Sequence, residues 1–282
     1  MIFINFNGKI HLADVPVINA HNRGFRFGDG LFETMKFKNG HLILIDEHLA
    51  RLWNGMRMLK FEIPKLFSPD KLELETLTLI KKNKLTAARV RITVFRSNGG
   101  LFDPVNLSPN YLIEAIPLPE NNGGWNENGL HVCLYKDSKK QVDAFSQLKH
   151  NNFLPYVMGA LYAKEMKCND ALLFNPVNNI ADSTIANVFV IKNNTIYTPP
   201  LEDGCIDGIM RKTVIHTLKM LHHQVVETSI NEKMLKEAEE VFLTNSIYNL
   251  RWVSLIDDHP LTNIYTHKIF LQLTETIPTI FC

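Results

Sequence analysis

The chain has 282 residues, enough for two domains of ordinary size or for one large one. Its 30 basic and 29 acidic side chains leave a net charge of +1, so no global field would draw it to nucleic acid or to an anionic membrane. With 45% hydrophobic and 21% charged residues, the sequence has the balance of an ordinary globular protein, which excludes disorder of the whole chain.

The four cysteines and the N-terminus bear on the cellular compartment. No cysteine lies in a C-x-x-C pair, so the spacing of a zinc site is absent, and no metal is expected. The opening residues "MIFINFNGKI" are not a signal peptide, and no window approaches 18 uninterrupted apolar residues. The sequence therefore predicts a cytoplasmic protein with no membrane partner.

The first part of the chain predicts a mixture of hairpins, helices and strands. Asn-Gly pairs that begin at Asn7 and Asn39 suit tight turns between alternating runs. Asp46 and Ser68 are the predicted N-caps of two helices. The predicted elements are hairpins at 1–12 and 32–45, helices at 46–60 and 68–83, and strands at 88–96 and 110–118.

A segment rich in Pro, Asn and Gly then separates the two parts of the chain. We predict an N-terminal domain at 1–116, a linker at 117–128 and a C-terminal domain at 129–282. Strands and helices mix without a strict alternation, which favours two α/β or α+β domains over a Rossmann fold. The predicted later elements are strands at 130–136, 170–176, 186–199 and 240–245, and helices at about 151–166, 208–223 and 231–240.

The stretch "LEDGCIDGIMRK", residues 201–212, is typical of an anion-binding loop before a helix. Asp207 is its predicted N-cap, and the free N–H groups of Ile209 and Met210 would lie at the positive end of the helix dipole. It is not a P-loop, because Lys212 follows an arginine. An ordinary turn before a helix is the alternative.

Four further residues are candidates for chemistry. Arg51 and Ser246 could bind phosphate oxygens. Lys149 precedes a predicted helix, whose dipole would lower its pKa and make it a Schiff-base nucleophile. Asp182 lies among small and apolar residues, where it could hold a cationic ring nitrogen. The ordinary alternatives are solvated charges and capping side chains.

The succession of these motifs resembles the class IV aminotransferase family, the fold-type IV enzymes that use pyridoxal phosphate (PLP). The resemblance runs from residue 23 to residue 247, nearly the whole chain. It implies an α/β (mixed α+β), two-domain fold of the D-amino-acid and branched-chain aminotransferase type. The matching segments are "RGFRFGDGLFET", "HLARL", "RVRITVFR", "LKHNNFLPYV", "DALLFN", "DSTIANVF", "DGCIDGIMR" and "FLTNSI".

The resemblance also implies PLP as cofactor, an amine as small-molecule substrate and a homodimer. Lys149 matches the lysine that holds PLP covalently, and Arg51 matches the arginine on the PLP phosphate. Asp182 stands where the family normally has a glutamate facing the pyridine nitrogen, so it departs from the pattern by one methylene. The other phosphate contacts implied by the resemblance are Ile209, Met210, Ser246 and Ile247.

Within the family, "LKHNNFL" and "DGIMR" most resemble 4-amino-4-deoxychorismate lyases, which release pyruvate and form 4-aminobenzoate for folate synthesis. D-amino-acid and branched-chain aminotransferases are the alternatives, and a PLP-binding protein with little catalysis is an alternative of another class. A dicarboxylate substrate would need cations. Arg89 and Arg91 share one face of a predicted strand, whereas Arg96 has the opposite parity.

Overall fold

The structure, a computed structural model, describes residues 1–119 and 122–281 and divides the chain into two compact units. Residues 120 and 121 of the predicted linker, and Cys282, lie outside the described residues. The predicted mixed α/β class is confirmed by two sheets with helices. The first unit comprises Met1–Asn122 and Lys149–Asn152, and the second comprises Gly123–Leu148 and Phe153–Cys282.

The first unit is built on an antiparallel sheet with the strand order β2-β1-β6-β5-β3-β4. On β5, the side chains of Val90, Ile92 and Val94 are fully buried, while Arg89 and Arg91 alternate with them on the other face. The strands are β1 (Phe3–Phe6), β2 (Lys9–Leu12), β3 (Gly30–Lys38), β4 (His41–Leu42), β5 (Ala88–Arg96) and β6 (Pro109–Pro117).

The helices of this unit are α1 (Arg23–Phe27), α2 (Ile45–Met58) and α3 (Pro69–Lys82). The predicted cap of α3 is confirmed, because the Ser68 hydroxyl accepts from the Lys71 N–H at 3.2 Å. The predicted cap of α2 is wrong. Leu44 takes the N-cap position with φ 56° and no side-chain cap, and Asp46 lies within the first turn, where its charge still suits the dipole.

The second unit is built on a mixed sheet with the order β12-β11-β10-β13-β14-β7-β8-β9, and β15 pairs with β14. The pairs β7–β8, β7–β14 and β11–β12 are parallel, and the others are antiparallel. The strands are β7 (Leu130–Lys139), β8 (Asp170–Phe174), β9 (Ile180–Ser183), β10 (Asn187–Lys192), β11 (Thr195–Thr198), β12 (Val225–Glu227), β13 (Glu240–Asn245), β14 (Asn249–Ile256) and β15 (His259–Pro260).

Some predicted elements of this unit differ from the structure. The single strand predicted at 186–199 is a hairpin, because Asn193 and Asn194 take φ 50° and 58° and form a tight turn. The predicted helix at 231–240 is shorter, and the sequence analysis predicts neither the helix Ile264–Thr276 nor the strands β9, β12, β14 and β15 of this unit. The helices are α4 (Leu154–Glu165), α5 (Ile209–Met220), α6 (Glu232–Lys236) and α7 (Ile264–Thr276), with a 3-10 turn at Leu201–Asp203.

The segment Lys149–Asn152 leaves the second unit and runs beside β3. The Phe32 N–H donates to the Lys149 carbonyl at 2.9 Å, and the Asn151 N–H donates to the Gly30 carbonyl at 2.9 Å. The sequence placed Lys149 in the C-terminal domain, whereas this backbone pairing places it in the first unit.

Within the described residues, no helix has both the length and the apolar character to cross a bilayer. The same residues contain no group of three or more His, Cys, Asp or Glu side chains placed to hold a metal ion. Cys133, Cys168 and Cys205 are free thiols.

Candidate active site

Lys149 lies against an aromatic side chain of β3. Its Nζ is 4.6 Å from the centre of the Phe32 ring. The predicted effect of a helix dipole on Lys149 is not supported, because α4 begins only at Leu154 and the dipole acts within about one turn. The charge of Lys149 instead helps to lower the pKa of His48.

Two glycines of the "GDG" motif let the lysine segment approach β3. Gly28 has φ +65°, and a Cβ there would overlap the Asn152 side chain. A Cβ on Gly30 would lie 2.6 Å from Asn151 Nδ2 and would overlap the Val94 carbonyl. In the structure this motif forms the surface on which Lys149–Asn152 rests.

Replacing Gly30 with alanine is expected to displace Lys149. The new methyl group must displace the Val94 carbonyl of β5 as well as Asn151, at a cost of about 1 to 3 kcal/mol in stability. A lysine moved by about 1 Å should lower turnover by about 100-fold. Turnover and urea unfolding measure the two effects. Gly40→Ala is the control, because that glycine has φ +82° and open space around its Cα, so the variant should lose stability while turnover stays normal.

A buried charged cluster lies on the opposite face of β3. The Arg51 Nε and Nη2 donate to the Glu33 carboxylate at 2.8 and 2.6 Å, and His48 Nδ1 lies 2.6 Å from Glu33 Oε2. Sequence reasoning gave no role to Glu33 or His48. A signal was present, since Glu33 is a charged residue between the apolar Leu31 and Met35 of one strand face.

The ionisation of this cluster follows from its burial. Burial would raise the pKa of Glu33, but the charge of Arg51 and the hydrogen bonds of Arg51 and His48 lower it to about 2. Burial lowers the pKa of His48, against the attraction of Glu33, and the charges of Arg51 and Lys149 lower it further. Glu33 is therefore an anion and His48 a neutral imidazole near neutral pH.

The stabilising effect of Glu33 should depend on pH. Because its pKa is lowered from 4.5 to about 2, the contribution is present above pH 4.5 and is lost as the pH falls towards 2. Glu33→Gln should lower the free energy of unfolding by about 3 to 5 kcal/mol near neutral pH. Urea unfolding from neutral pH down to about pH 2 should show that the difference in free energy of unfolding between Glu33→Gln and the wild type becomes smaller as the pH falls. Glu232→Gln, which removes an exposed pair with Lys136, should cost less than about 1 kcal/mol.

The three arginines of β5 have different environments. Arg96 is structural, since its guanidinium donates to Asp29 and to the Leu59 carbonyl. Arg91 stacks on the Phe32 ring at 3.8 Å and donates from Nε to Thr93 at 3.2 Å. In the described part of the chain Arg91 has no ion-pair partner within 4 Å, although Glu114 attracts its charge at longer range.

Arg91 faces a groove of the first unit. The other groove residues include the polar side chains of Asn22, Thr93 and Asn151 and the apolar side chains of Phe95 and Leu112. Burial lowers the pKa of Arg91, which nevertheless remains a cation. A half-buried guanidinium at a groove is an anion-binding group.

Asp182 lies on β9 in the second unit, opposite Leu173 of β8. It is 2% exposed. Its Oδ1 accepts from Asn187 Nδ2 at 2.9 Å, and its Oδ2 accepts from the Tyr156 hydroxyl and the Ile206 N–H, each at 2.9 Å. The predicted burial of this carboxylate is therefore observed, and three donors stabilise its anion.

The helix of the predicted anion loop begins at Ile209. Its N-cap is Gly208 rather than the predicted Asp207, and the Asp207 carboxylate pairs with Lys212 at 2.8 Å. The N–H groups of Ile209 and Met210 have no acceptor within the helix. A Cβ on Gly208 would overlap the Asn187 carboxamide, so a bare backbone is needed there.

The predicted second phosphate turn follows β13. The Ile247 N–H donates to Asn245 Oδ1 at 2.9 Å, and Ser246 is partly exposed beside it. The buried Thr244 hydroxyl has no hydrogen-bond partner among residues 1–119 and 122–281. Thr244 was not predicted. It pairs with Asn187 across the sheet, and the Asn187 carboxamide in turn lies against Gly208 at the start of α5.

The second unit alone offers groups that suit a phosphorylated pyridinium. The first turn of α5 offers N–H donors to a phosphate, and the Thr244 hydroxyl adds a donor. Asp182 is a buried anion of the kind that suits a cationic ring nitrogen. In the first unit, Lys149 has the primary amine with which an aldehyde reacts. The predicted residues Arg51 and Lys149 are in the first unit, and Asp182, Ile209, Met210, Ser246 and Ile247 are in the second.

Comparisons with known proteins identify the family. A model of the family described as amino-transferase class IV matches residues 30–256. The chain is 28% identical to a putative branched-chain-amino-acid aminotransferase of Methanocaldococcus jannaschii, over 96% of this chain and 94% of that protein. It is 26% identical to an aminodeoxychorismate lyase of Vibrio harveyi, over 83% and 85%.

The fold is also shared with solved structures. A branched-chain amino acid aminotransferase of T.th., solved with pyridoxamine 5′-phosphate, gives a TM-score of 0.87 at 20% identity, with 97% of this chain and 93% of that chain covered. The family match extends over most of the chain. The protein therefore belongs to the class IV aminotransferases, a family of PLP-dependent enzymes.

Proposed function

We propose that this enzyme is a 4-amino-4-deoxychorismate lyase, which releases pyruvate and forms 4-aminobenzoate for folate synthesis. One observation carries the proposal. A single ring, that of Phe32, contacts both the Lys149 amine at 4.6 Å and the Arg91 guanidinium at 3.8 Å. A substrate whose amine reacts at Lys149 would therefore have a cation nearby for a carboxylate, and this substrate carries two carboxylates.

Bound PLP would supply an electron-withdrawing ring that stabilises negative charge on the substrate carbon skeleton. Lys149 would hold the cofactor covalently and, once displaced by the substrate amine, would move protons as a general base. Phe32 keeps the amine beside an apolar surface. Asp182 would face the ring nitrogen.

The proposed phosphate contacts are the charge of Arg51 and backbone or hydroxyl donors of the second unit. Two donors of Arg51 already bind Glu33, which fixes the guanidinium plane. The Thr244 hydroxyl would add a donor. The remaining proposed contacts are Ile209, Met210, Ser246 and Ile247.

An amino-acid aminotransferase of the D-amino-acid or branched-chain type is the second candidate. The observation that favours it is the match over 96% of the chain to a putative branched-chain aminotransferase. Arg91 would then bind the side-chain carboxylate of a donor such as glutamate. A PLP-binding protein with little catalysis is a third possibility, but simple binding does not explain a lysine held beside an aromatic ring.

A substrate panel tests the proposal. We expect pyruvate release from aminodeoxychorismate, and little amino transfer from D-alanine, L-glutamate or L-leucine, with both followed on the same preparation. Turnover of an amino acid alone would contradict the lyase and support the aminotransferase. PLP uptake without any turnover would support the binding protein.

We further propose that the enzyme is a cytoplasmic homodimer. Apolar side chains of α1 and of the loop between β5 and β6 support association: Phe25 is 78% exposed and Phe102 is 80% exposed. Arg23 joins the two segments by donating to the Phe102 carbonyl at 2.8 Å. Light scattering should give twice the mass of the chain, and a monomeric mass would contradict the proposal.

A further inference from the structure

The Asp182 carboxylate is held by a tyrosine that the proposed chemistry does not use. Tyr156 lies in the first turn of α4, and its hydroxyl donates to Asp182 Oδ2 at 2.9 Å. Both side chains are buried, with 4% of Tyr156 and 2% of Asp182 exposed. The two groups can therefore exchange this bond for water only at the cost of opening the unit.

Other groups also face the carboxylate. Asn187 on β10 and the Ile206 N–H also donate to it, so with Tyr156 at least three of the four acceptor positions of Asp182 are occupied. The charge of Lys140 attracts it, while Lys140 Nζ donates to the Ser146 and Gly204 carbonyls. The charge of Asp182 also helps to raise the pKa of the buried Cys205 thiol.

The tyrosine is a permanent donor. Burial first, and the charge of Asp182 second, raise the pKa of Tyr156 well above its ordinary value, so the phenol keeps its proton. A hydrogen bond donated to a carboxylate favours the charged form and makes it a weaker proton acceptor. Tyr156 thereby limits how strongly Asp182 can bind the proton of a neighbouring group.

We propose that Tyr156 is a positioning residue that acts through Asp182: its hydroxyl orients the shorter acid and weakens it as the partner of the PLP ring nitrogen. This inference rests on the proposed place of Asp182 at that nitrogen. A less firmly protonated ring withdraws fewer electrons. The Tyr156–Asp182 pair thus adjusts how strongly the PLP ring withdraws electrons and leaves its covalent attachment to the protein unchanged.

The first test is a pH titration of the visible absorption of the holoprotein. In Tyr156→Phe, Asp182 becomes a stronger proton acceptor, so the ring nitrogen should hold its proton more firmly. The ring then withdraws more electron density from the nitrogen that joins PLP to Lys149, which lowers the pKa of that nitrogen. We expect the midpoint of the absorption titration to fall by about one pH unit relative to the wild type. Tyr135→Phe is the matched control, since Tyr135 is also buried, at 5% exposure, and it should leave the midpoint unchanged.

The second test uses the cofactor-free protein and the carboxyl ¹³C signal of Asp182, assigned by its loss in Asp182→Asn. Tyr156→Phe should raise the pKa of Asp182 by about one unit, and Tyr135→Phe should not. Placing 3-fluorotyrosine at position 156 strengthens the donor without removing it, and should move both midpoints in the opposite direction.

These outcomes separate the two proposals. A wild-type protein that takes up no PLP would overturn the proposed function. The ¹³C titration of the Asp182 carboxyl group would still show whether Tyr156 lowers the pKa of Asp182. Unchanged midpoints in both Tyr156→Phe and the fluorotyrosine protein would overturn the positioning role. If Tyr156→Phe does not fold, the fluorotyrosine protein decides, because it keeps the hydroxyl and the ring volume.

Discussion

Lys149→Ala is expected to abolish covalent retention of PLP and to lower turnover by about 100- to 10,000-fold. The loss removes both the amine that holds the cofactor and the group proposed to move protons. Borohydride reduction of the wild-type holoprotein, followed by mass spectrometry of its peptides, should place the cofactor on the peptide that contains Lys149. The reduced variant should carry no label.

Lys136→Ala is the control for that experiment. The Lys136 side chain is 52% exposed and pairs with Glu232 on the surface, so its loss should change neither labelling nor turnover. Label on another lysine in the Lys149→Ala protein would mean that the reactive amine has been assigned to the wrong residue. A colourless wild-type protein that binds no PLP would contradict the cofactor site itself.

Arg91→Met is expected to lower kcat/KM for a dicarboxylate substrate by about 10- to 100-fold. A charged hydrogen bond to a carboxylate contributes about 1.5 to 3 kcal/mol, and the methionine keeps the contact with the Phe32 ring without the charge. The effect should fall mainly on KM if the guanidinium binds substrate and transition state equally. PLP absorption should stay as in the wild type, because Arg91 is not among the proposed cofactor contacts.

Arg57→Met is the matched control for Arg91. Arg57 is exposed at the end of α2 and donates to the neighbouring Asn54 of the same helix, so the variant should keep normal kinetics. If kcat/KM falls equally in Arg91→Met and Arg57→Met, Arg91 acts through the net charge of the protein and not through a direct contact with the substrate. A loss for a monocarboxylate amino acid as large as that for the dicarboxylate would assign Arg91 to a carboxylate common to both.

Local pattern was sufficient for much of the fold. The alternation of β5 and the Asn-Gly turns depend on neighbouring residues, and both are found where the sequence predicts them. Cap positions were less predictable. Ser68 takes the N-cap position as predicted, whereas Leu44 and Gly208 take it in place of Asp46 and Asp207. The hydrophobic periodicity locates the buried face of a helix, but it does not locate the residue at which the helix begins.

The site depended more on distant contacts. The family pattern identified Lys149 and Asp182 as candidates, but not their surroundings. Glu33 on β3 is stabilised as a buried anion by His48 and Arg51 on α2. The spacing of residues along the sequence does not reveal this contact. Tyr156 looked like one apolar residue of a helix, although its hydroxyl reaches a strand 26 residues away along the chain.

The path of the chain through Lys149–Asn152 limits how this protein can be divided. Three peptide connections join the two units, one after Asn122 and one at each end of Lys149–Asn152. A protease cut in the predicted linker would therefore leave the two fragments associated through this segment rather than free. A gene split at that linker would place the lysine on the fragment that lacks β3, so neither half alone would hold the amine in its place.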